Sequence, residues 1–420
     1  MNYSRVSRSD IVVSRAASTA ALRLARLKYR RKLWLKVHLY LGLVLGPVFV
    51  VIGLTGSLIA FGQDIDEWLN ADLMTVAVPQ GGPTAYRPLD EIIATTRSVA
   101  PPGSAPVYLR FPHSSASVFS VIYQAPSSVS GEMDEYDIFV NPYTAQVLGQ
   151  RVAKRADDIF ASPLMALLIE LHYNLLAGQV GTTFVGIVAV LLLFAVLTGL
   201  ILWWPITGKW RQALTIKNRV SPQRFNYDLH RVTGFYSTLV LLVVLFSGVS
   251  MNFPERMTAL VELFSPAPGW PEDIHSLPAT GQLPLSITEA VTIANRVFSD
   301  GQIMGIALPD DEAGVYIVRK RAPDEVTKAY PHRQIWIDQY SGAILAINDP
   351  HQYTAGQKFL EWQYPLHSGE AFGLPGRILV LLSGLVCPVL YGTGIFLWWR
   401  RRRATTRHAK QMVKFAPKKT

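Results

Sequence analysis

Cysteine and charged residues are both scarce in this sequence. The 420 residues include a single cysteine, Cys387, so no disulfide can form within the chain and no CxxCH motif exists. Charged residues make up 17% of the chain and hydrophobic residues 50%, with a mean hydropathy of +0.22. This balance is too apolar for a soluble protein of ordinary composition, and it predicts that lipid is part of the solvent.

Nucleotide-binding and nucleophile motifs are absent as well. The sequence has no GxGxxG after a predicted strand, no GxxxxGK[ST] loop and no GxSxG elbow. These absences exclude a Rossmann-type nicotinamide or flavin domain, a P-loop and an α/β-hydrolase site.

Four apolar stretches are long enough to cross a bilayer, whose hydrocarbon core of about 30 Å takes about 20 helical residues. They are residues 38–61, 180–204, 232–253 and 377–399. The first is too long for the apolar region of a signal peptide, and no small-x-small cleavage site follows it. The sequence therefore predicts a membrane protein, mainly α, with four transmembrane helices.

Basic residues flank the predicted spans. Of the 40 Lys and Arg residues, 25 lie in residues 1–37, 205–231 and 400–420. Such an excess is typical of cytoplasmic segments. We therefore predict that both termini and the loop 205–231 are cytoplasmic, and that residues 62–179 and 254–376 lie on the other side. The net charge of +10 follows from this pattern, which argues against nucleic-acid binding.

The chain consists of two copies of one unit. Each copy has a histidine with a Thr/Ser-Gly pair 17 residues later, then a second histidine with a Thr-Gly pair 26 residues later and a Trp pair 31 residues later. The matched positions are His38 with Thr55-Gly56, His230 with Ser247-Gly248, His172 with Thr198-Gly199 and Trp203-Trp204, and His367 with Thr393-Gly394 and Trp398-Trp399. Parallel repeats of this kind are related by a pseudo-twofold axis along the membrane normal.

The segments between the spans, residues 62–179 and 254–376, match each other too. Each opens with an amphipathic stretch that predicts a helix, from Leu89 in the first and from Ile287 in the second. Both close on a predicted β-hairpin of the same length. Each half of the chain is thus expected to be a span, a small α+β domain and a second span.

Four histidines at matched span ends are candidate metal ligands. His38 and His230 begin spans that leave the cytoplasm, whereas His172 and His367 lie about 46 Å from the Trp pairs if the chain is helical throughout. A twofold axis would bring His38 opposite His230 and His172 opposite His367. Two opposed imidazoles are the axial iron ligands of a six-coordinate b-type haem, which this chain would hold non-covalently. The alternative is that the histidines are interfacial anchors.

Other repeated side chains are expected to be structural. The hydroxyls of the Thr/Ser-Gly pairs are expected to bond backbone carbonyls, and the Trp pairs to form an aromatic belt. Glycines in the spans are expected to allow close packing. The remaining histidines, expected to be solvated, are His113, His275, His332, His351 and His408.

Several motifs together resemble a known family. The segments WLKVHLYLGLVLG and DLHRVTGFYS, the twice-repeated pattern LH(x)5G(x)2G with TG(x)3WW, and the hairpin IWIDQYSGAIL are similar to the PepSY-associated transmembrane proteins of the bacterial inner membrane. The resemblance covers about residues 30 to 403. One departure concerns the residue after the histidine, often Arg in that family, which is Arg231 in one copy and Leu39, Tyr173 and Ser368 in the others.

The resemblance extends to the siderophore reductases of that family and implies an oxidoreductase with two b-type haems. His38, His230, His172 and His367 match the family's haem ligands. The implied acceptor is a ferric siderophore of the hydroxamate type, which would receive electrons from the haems on the periplasmic side. The two α+β domains there are expected to be PepSY-like. The implied donor is a quinol or a cytoplasmic reductase. The acceptor site is expected near the aromatic residues Trp362, Tyr364, Tyr173 and Phe372.

Two other readings of the sequence stay open. One is a non-redox PepSY regulator that senses or inhibits a periplasmic partner or protease, a role that has no use for histidines in the membrane layer. The other is a transporter with histidine proton relays, which the near absence of charged residues in the spans disfavours.

Overall fold

The structure is a computed structural model that describes residues 8–127, 132–205, 208–277, 281–327 and 331–414. Side chains are described for residue 26 and, within those ranges, from residue 29 to residue 404. His408, predicted to be solvated, lies outside the described side chains.

Thirteen α-helices occur within the described ranges. They are α1 Arg8–Ile59, α2 Gly62–Leu69, α3 Ala71–Met74, α4 Leu89–Thr96, α5 Leu164–Asn174, α6 Gly178–Trp203, α7 Trp210–Leu214, α8 Pro222–Asn252, α9 Pro254–Glu262, α10 Ile287–Val297, α11 Ala355–Glu361, α12 Gln363–Ser368 and α13 Gly373–Lys414.

Eight β-strands lie between these helices. They are β1 Ala105–Arg110, β2 Phe119–Pro126, β3 Met133–Val140, β4 Val147–Lys154, β5 Gln302–Ala307, β6 Val315–Arg321, β7 Arg333–Asp338 and β8 Ile344–Asn348. The helices predicted from Leu89 and Ile287 are confirmed as α4 and α10, and the two predicted hairpins as β3–β4 and β7–β8.

Four helices of the described chain are long and apolar enough to cross a membrane, as predicted. They run over Tyr29–Ile59, Gly178–Trp203, Pro222–Asn252 and Glu370–Ala404. The second contains no charged residue. Its backbone polar groups are bonded within the helix, which is the arrangement that hydrocarbon requires.

The chain divides into two compact units. One, the helical unit, comprises Met1–Leu54, Gly186–Val249 and Leu382–Thr420, and the other, the α/β unit, comprises Thr55–Val185 and Ser250–Leu381.

In the helical unit, close packing depends on apolar contacts and on glycines. Leu45 of α1, Val188 and Leu192 of α6 and Leu245 of α8 form a buried cluster. Helix α13 packs on α1 where glycine leaves room, because a Cβ on Gly46 would overlap the ring of Tyr391 and one on Gly53 would lie 2.5 Å from Cys387 Sγ. These positions bear out the expected use of glycine in helix packing.

In the α/β unit, all eight strands form one antiparallel sheet in the order β4-β3-β2-β1-β5-β6-β7-β8. The two segments predicted as α+β domains each supply four consecutive strands. They join through β1 and β5, where Tyr108, Leu109 and Arg110 pair with Ala307, Ile306 and Gly305. We call this β1–β5 pairing the seam.

One face of the sheet is covered by α4 and α10. Ile92 of α4 and Ala290 of α10 are fully buried against strand residues such as Phe119 and Ile335. The two helices are also linked directly, since Asp90 of α4 accepts a hydrogen bond from the backbone N–H of Ile287, the first residue of α10 (3.1 Å). A carboxylate at a helix N-terminus satisfies a free donor and is stabilised by the helix dipole.

The chain is not helical throughout between His172 and Trp203. Helix α5 ends at Asn174, and Leu175 and Leu176 adopt left-handed φ angles of 54° and 60° before α6 begins. Asn174 holds this turn, because its side-chain oxygen accepts from the backbone N–H of Leu176 (2.8 Å). The separation of about 46 Å expected from one continuous helix therefore does not apply.

Candidate functional site

The helical unit brings together the first predicted histidine pair. His38 of α1 and His230 of α8 have ring centroids 6.2 Å apart with an interplanar angle of 80°. Both rings are partly buried.

Threonine hydroxyls and a backbone carbonyl hold these two rings through Nδ1. His38 Nδ1 lies 2.9 Å from the Ala195 carbonyl oxygen and 3.3 Å from Thr198 Oγ1, and His230 Nδ1 lies 2.8 Å from Thr393 Oγ1. Each hydroxyl donates its own proton to a backbone carbonyl, that of Ala195 for Thr198 (2.8 Å) and that of Val389 for Thr393 (2.6 Å). The predicted bonding of these hydroxyls to carbonyls is thus confirmed.

The direction of these hydrogen bonds sets the histidine tautomer. A threonine hydroxyl has one proton, and because that proton goes to a carbonyl, the hydroxyl oxygen accepts from the imidazole. Nδ1 therefore carries the ring proton, and Nε2 keeps a free lone pair. Holding one ring nitrogen in this way is how proteins orient a metal-binding imidazole.

The α/β unit brings together the second predicted pair. His172 of α5 and His367 of α12 have ring centroids 6.0 Å apart with an interplanar angle of 69°. His172 Nδ1 lies 3.1 Å from Thr55 Oγ1. This hydroxyl, too, belongs to one of the repeated Thr/Ser-Gly pairs.

In three of the four Thr/Ser-Gly pairs, the glycine lies against a histidine ring. A Cβ on Gly56 would lie 2.8 Å from His172 Cε1, one on Gly199 would lie 3.1 Å from His38 Cε1, and one on Gly394 would lie 3.6 Å from His230 Cε1. The first two distances are shorter than ordinary carbon–carbon contacts. The Thr-Gly step thus combines a hydrogen-bond acceptor with a gap that admits the imidazole.

The spacing of both pairs fits a metal held between two imidazoles. Metal–nitrogen bonds of about 2.0 Å and a ring nitrogen about 1.2 Å from the ring centre would place two opposed imidazole centroids about 6.4 Å apart. The observed values of 6.2 and 6.0 Å agree with this. No group of three His, Cys, Asp or Glu side chains in the described chain could hold a metal ion. The macrocycle of a haem supplies four further ligands, so two histidines from the protein fit a haem.

A buried carboxylate beside the first pair was missed by the sequence reasoning. Asp228 is fully buried at the start of α8, two residues before His230. It accepts from Arg224 Nε (3.0 Å) and from the Arg231 guanidinium (3.1 Å). A buried carboxylate with two arginine partners fixes local geometry. The sequence does carry one indication of this residue, since Asp228 is the only acidic residue in the basic loop 205–231.

The aromatic residues proposed for acceptor binding lie on elements of the α/β unit. Trp362 and Phe372 are exposed, at 43% and 67%, Tyr173 is 39% exposed, and Tyr364 is partly buried in α12. Burial, with a hydrogen bond to Glu170, raises the pKa of the Tyr173 hydroxyl. Their role in binding stays a prediction.

Trp203 differs from its expected place in an aromatic belt. It is buried and stacks on Phe235 with centroids 3.8 Å apart, and its indole N–H donates to the Ala213 carbonyl oxygen (3.2 Å). Trp204, by contrast, is 55% exposed, as an interfacial residue is. The first Trp of the pair packs inside the helical unit, and the second fits the prediction.

The histidines outside the two pairs are not all solvated. His275 is exposed, as predicted. The prediction is wrong for His332, whose side chain is 15% exposed because Glu361 Oε2 lies 2.5 Å from Nε2 and Trp270 packs edge-on against the ring. His351 is half exposed but bonds Asp324 and Asp349, which raise its pKa.

These features define a membrane protein with four spans, an eight-stranded α/β unit and two histidine pairs. A family model, the PepSY-associated TM region, matches residues 35–401. The chain therefore belongs to the PepSY-associated transmembrane family, as its motifs suggested. No curated protein matches the chain.

Proposed function

We propose that the protein is a di-haem b electron-transfer protein that reduces ferric siderophores at the periplasmic side of the bacterial inner membrane. One observation carries this proposal. Both histidine pairs have the spacing of axial ligands on one iron, at 6.2 and 6.0 Å, and in three of the four histidines Nδ1 contacts a threonine hydroxyl.

The protein's own residues prepare each site for a haem. His38 and His230, protonated on Nδ1, would offer Nε2 to the iron, and His172 and His367 would hold the second haem. The Thr-Gly steps hold the His38 and His172 rings in place before binding, which lowers the entropy cost of ligation. Bound haem supplies a one-electron Fe(III)/Fe(II) couple. No cysteine thioether is required, because ligation and burial hold the group non-covalently.

The direction of transfer follows from the proposed orientation. The excess of basic residues in segments 1–37, 205–231 and 400–420 supports a cytoplasmic location for both termini. His38 and His230 would then serve the cytoplasmic side and His172 and His367 the periplasmic side, in two pseudo-twofold repeats. Electrons would enter from a quinol or a cytoplasmic reductase and leave at the α/β unit.

The acceptor is proposed on the family resemblance together with iron chemistry. Siderophores hold Fe(III) through hard oxygen ligands, and Fe(II), with its lower charge, is a weaker partner for such ligands. A single electron therefore loosens the chelate. Trp362, Tyr364, Tyr173 and Phe372 are the candidate contact residues, with stacking surfaces available on the exposed rings.

The proposal is tested by oxidation of the pre-reduced protein. The detergent-purified, haem-loaded chain is reduced, excess reductant is removed, and a ferric hydroxamate siderophore is added under argon with an Fe(II) chelator. We expect the reduced haem band to disappear with about one Fe(II) trapped per haem oxidised. The matched control is the same siderophore loaded with Ga(III), which cannot accept an electron.

Two outcomes would contradict parts of the proposal. If the ferric and gallium complexes leave the reduced band equally unchanged, the siderophore is not the acceptor. If the chain takes up no haem at all, the reductase proposal fails, and the non-redox PepSY regulator becomes the better account.

A further inference from the structure

Three arginines project from the face of the sheet that α4 and α10 leave uncovered. Side chains alternate between the two faces of a strand. Leu109, Ile306 and Val318 are fully buried on the helix side. Their strand neighbours Arg110 and Arg319 therefore project from the opposite face.

The seam places two of these arginines on either side of a glycine. Arg110 of β1 pairs with Gly305 of β5, and Gly305 pairs with Arg319 of β6. The two arginines come from the two halves of the chain, about 10 Å apart between Cα atoms. Arg321, two residues further along β6 on the same face, is the third.

Tyr108 completes this arrangement. Its hydroxyl lies so close to Gly305 that a Cβ there would overlap it, and the Arg319 guanidinium carbon lies 5.5 Å from the ring centroid. Burial raises the pKa of Tyr108, against the opposing effect of Arg319 and Arg110. The phenol therefore stays neutral and offers an O–H between the two arginines.

The positive charges of Arg110 and Arg319 are not balanced by an ion pair within the described residues. Arg321 is different, because its guanidinium donates to the Glu325 carbonyl oxygen (3.4 Å) and lies within electrostatic range of the Glu325 carboxylate. The Nε atoms of Arg319 and Arg321 are buried and have no hydrogen-bond acceptor among the described residues. No carboxylate of the described residues forms an ion pair with Arg110, Arg319 or Arg321; the ion-paired arginines of the α/β unit are Arg87, Arg151, Arg155, Arg333 and Arg377. The residues of the α/β unit that the structure does not describe, 128–131, 278–280 and 328–330, contain no Asp or Glu that could form such an ion pair.

Unbalanced guanidinium groups point to an anion from outside the chain. Leaving a buried charged donor without an acceptor is costly. The planar fork of arginine matches the paired oxygens of carboxylates and phosphates. An anion that bridges Arg110 and Arg319 would satisfy both and would also bond the Tyr108 hydroxyl.

We propose that Arg110, Arg319, Arg321 and Tyr108 form a binding site for a small polyvalent oxyanion, bearing carboxylate or phosphate groups, across the seam. The site is separate from the two histidine pairs and does not depend on the proposed function. Because its ligand would touch both half-sheets, occupancy would stabilise the α/β unit as a whole.

The test is isothermal titration of the full chain in nanodiscs, with citrate and inorganic phosphate as probes. In discs of zwitterionic lipid we expect saturable citrate binding. Arg110→Gln, at an exposed position, should weaken it about tenfold, the loss of one charge-assisted contact. Arg319→Gln should do the same. The matched control, Arg87→Gln, removes an arginine already paired with Glu91 and should leave the affinity within about twofold.

A second disc composition separates two sources of the anion. If the natural ligand is a lipid phosphate, discs rich in phosphatidylglycerol should compete with citrate and lower its apparent affinity; if it is a free anion, the two discs should give equal affinities. Either result supports the site. Absence of saturable binding for both probes in zwitterionic discs, or equal weakening by Arg110→Gln and Arg87→Gln, would overturn it.

Discussion

A threonine followed by a glycine does two things for a histidine in this protein. The hydroxyl accepts from Nδ1 while donating to a carbonyl, and the glycine leaves space for the ring, as Thr198 and Gly199 do for His38. The sequence shows the repeat of these pairs but not this role. The pairs lie 17 or 26 residues from the histidines of the same repeat, so only the folded chain shows which hydroxyl reaches which ring.

Removing the hydroxyl at one of these steps should weaken the hold on the imidazole. We expect Thr393→Val to lower the haem occupancy of the His230 pair or to alter the axial-ligand signature in the low-temperature EPR spectrum of the oxidised protein, because Nδ1 of His230 loses its 2.8 Å partner. Thr238→Val is the control, since that hydroxyl bonds the Gly234 carbonyl of its own helix (2.7 Å). Identical spectra for both variants would contradict the assigned role.

Adding a methyl group at the glycine should displace the ring. Gly56→Ala places a Cβ 2.8 Å from His172 Cε1, whereas Gly42→Ala meets nothing within 4 Å. We expect the first variant to lose about one haem per chain and the second to keep wild-type content, since crowding of about 1 Å displaces a ligand from bonding distance. Haem is counted by the pyridine haemochrome assay. Equal haem content in the two variants would show that Gly56 does not shape the site.

At the scale of elements, the two hairpins use the same turn with different side chains. Asn141 Oδ1 accepts from the backbone N–H of Tyr143 (2.9 Å) in β3–β4. Asp338 Oδ1 accepts from Tyr340 (3.0 Å) and Ser341 (2.7 Å) in β7–β8. Both turns were predictable from local sequence, because Asn and Asp favour such turns.

The turn of the second hairpin should depend on pH, because its acceptor is a carboxylate, whereas the acceptor in the first turn is an amide. Burial alone would raise the pKa of Asp338, but hydrogen bonds from Ser341, Tyr340 and Leu277 outweigh it and hold the pKa below the usual value. The stabilisation is therefore present above the unfolded-state pKa of about 3.9 and is lost as the pH falls through the lower folded-state pKa.

Hydrogen exchange at matched pH values measures this difference. We expect the β7–β8 amides to lose protection in acid relative to those of β3–β4. Asp338→Asn should keep the turn and remove the acid sensitivity, whereas Asp338→Ala should cost about 2 to 3 kcal/mol at neutral pH. Retention of acid sensitivity in Asp338→Asn would assign it to another group.

The break between α5 and α6 shows where local sequence fails. Leucine carries no turn signal, yet Leu175 and Leu176 both take left-handed angles, a conformation that costs about 1 kcal/mol or more per residue. The turn is held by Asn174, whose side-chain oxygen accepts from the Leu176 N–H. Asn174 is therefore a local turn signal of the same kind as Asn141, but it does not specify left-handed angles at two successive leucines.

At the scale of the molecule, the seam is the feature that the sequence did not reveal. The four spans, the strand-rich segments and the histidine pairs were predictable because hydropathy and repeats are local or periodic signals. Pairing of Leu109 with Ile306 joins residues far apart in sequence, and no local pattern encodes it. The four strands of each half therefore form one continuous eight-stranded sheet, and not two four-stranded sheets.

The seam should make the α/β unit unfold as one body. Leu109→Ala removes a fully buried side chain and should cost about 2 to 5 kcal/mol, lowering hydrogen-exchange protection in β2–β3 and β6–β7 together. Val99→Ala, at a position 37% exposed, should change stability by about 0.5 kcal/mol or less. Loss of protection confined to the first half would show that the two half-sheets unfold independently.

If each histidine pair holds one haem, the haem content per chain should be about two, and measuring it is the most direct test. The measurement is the reduced-minus-oxidised visible spectrum of the detergent-purified protein, with haem quantified for wild type, His38→Ala and His367→Ala, one variant for each pair. We expect a b-type spectrum with about two haems per chain, falling to about one in each variant. A colourless protein produced with haem available, or a content unchanged by either substitution, would contradict it.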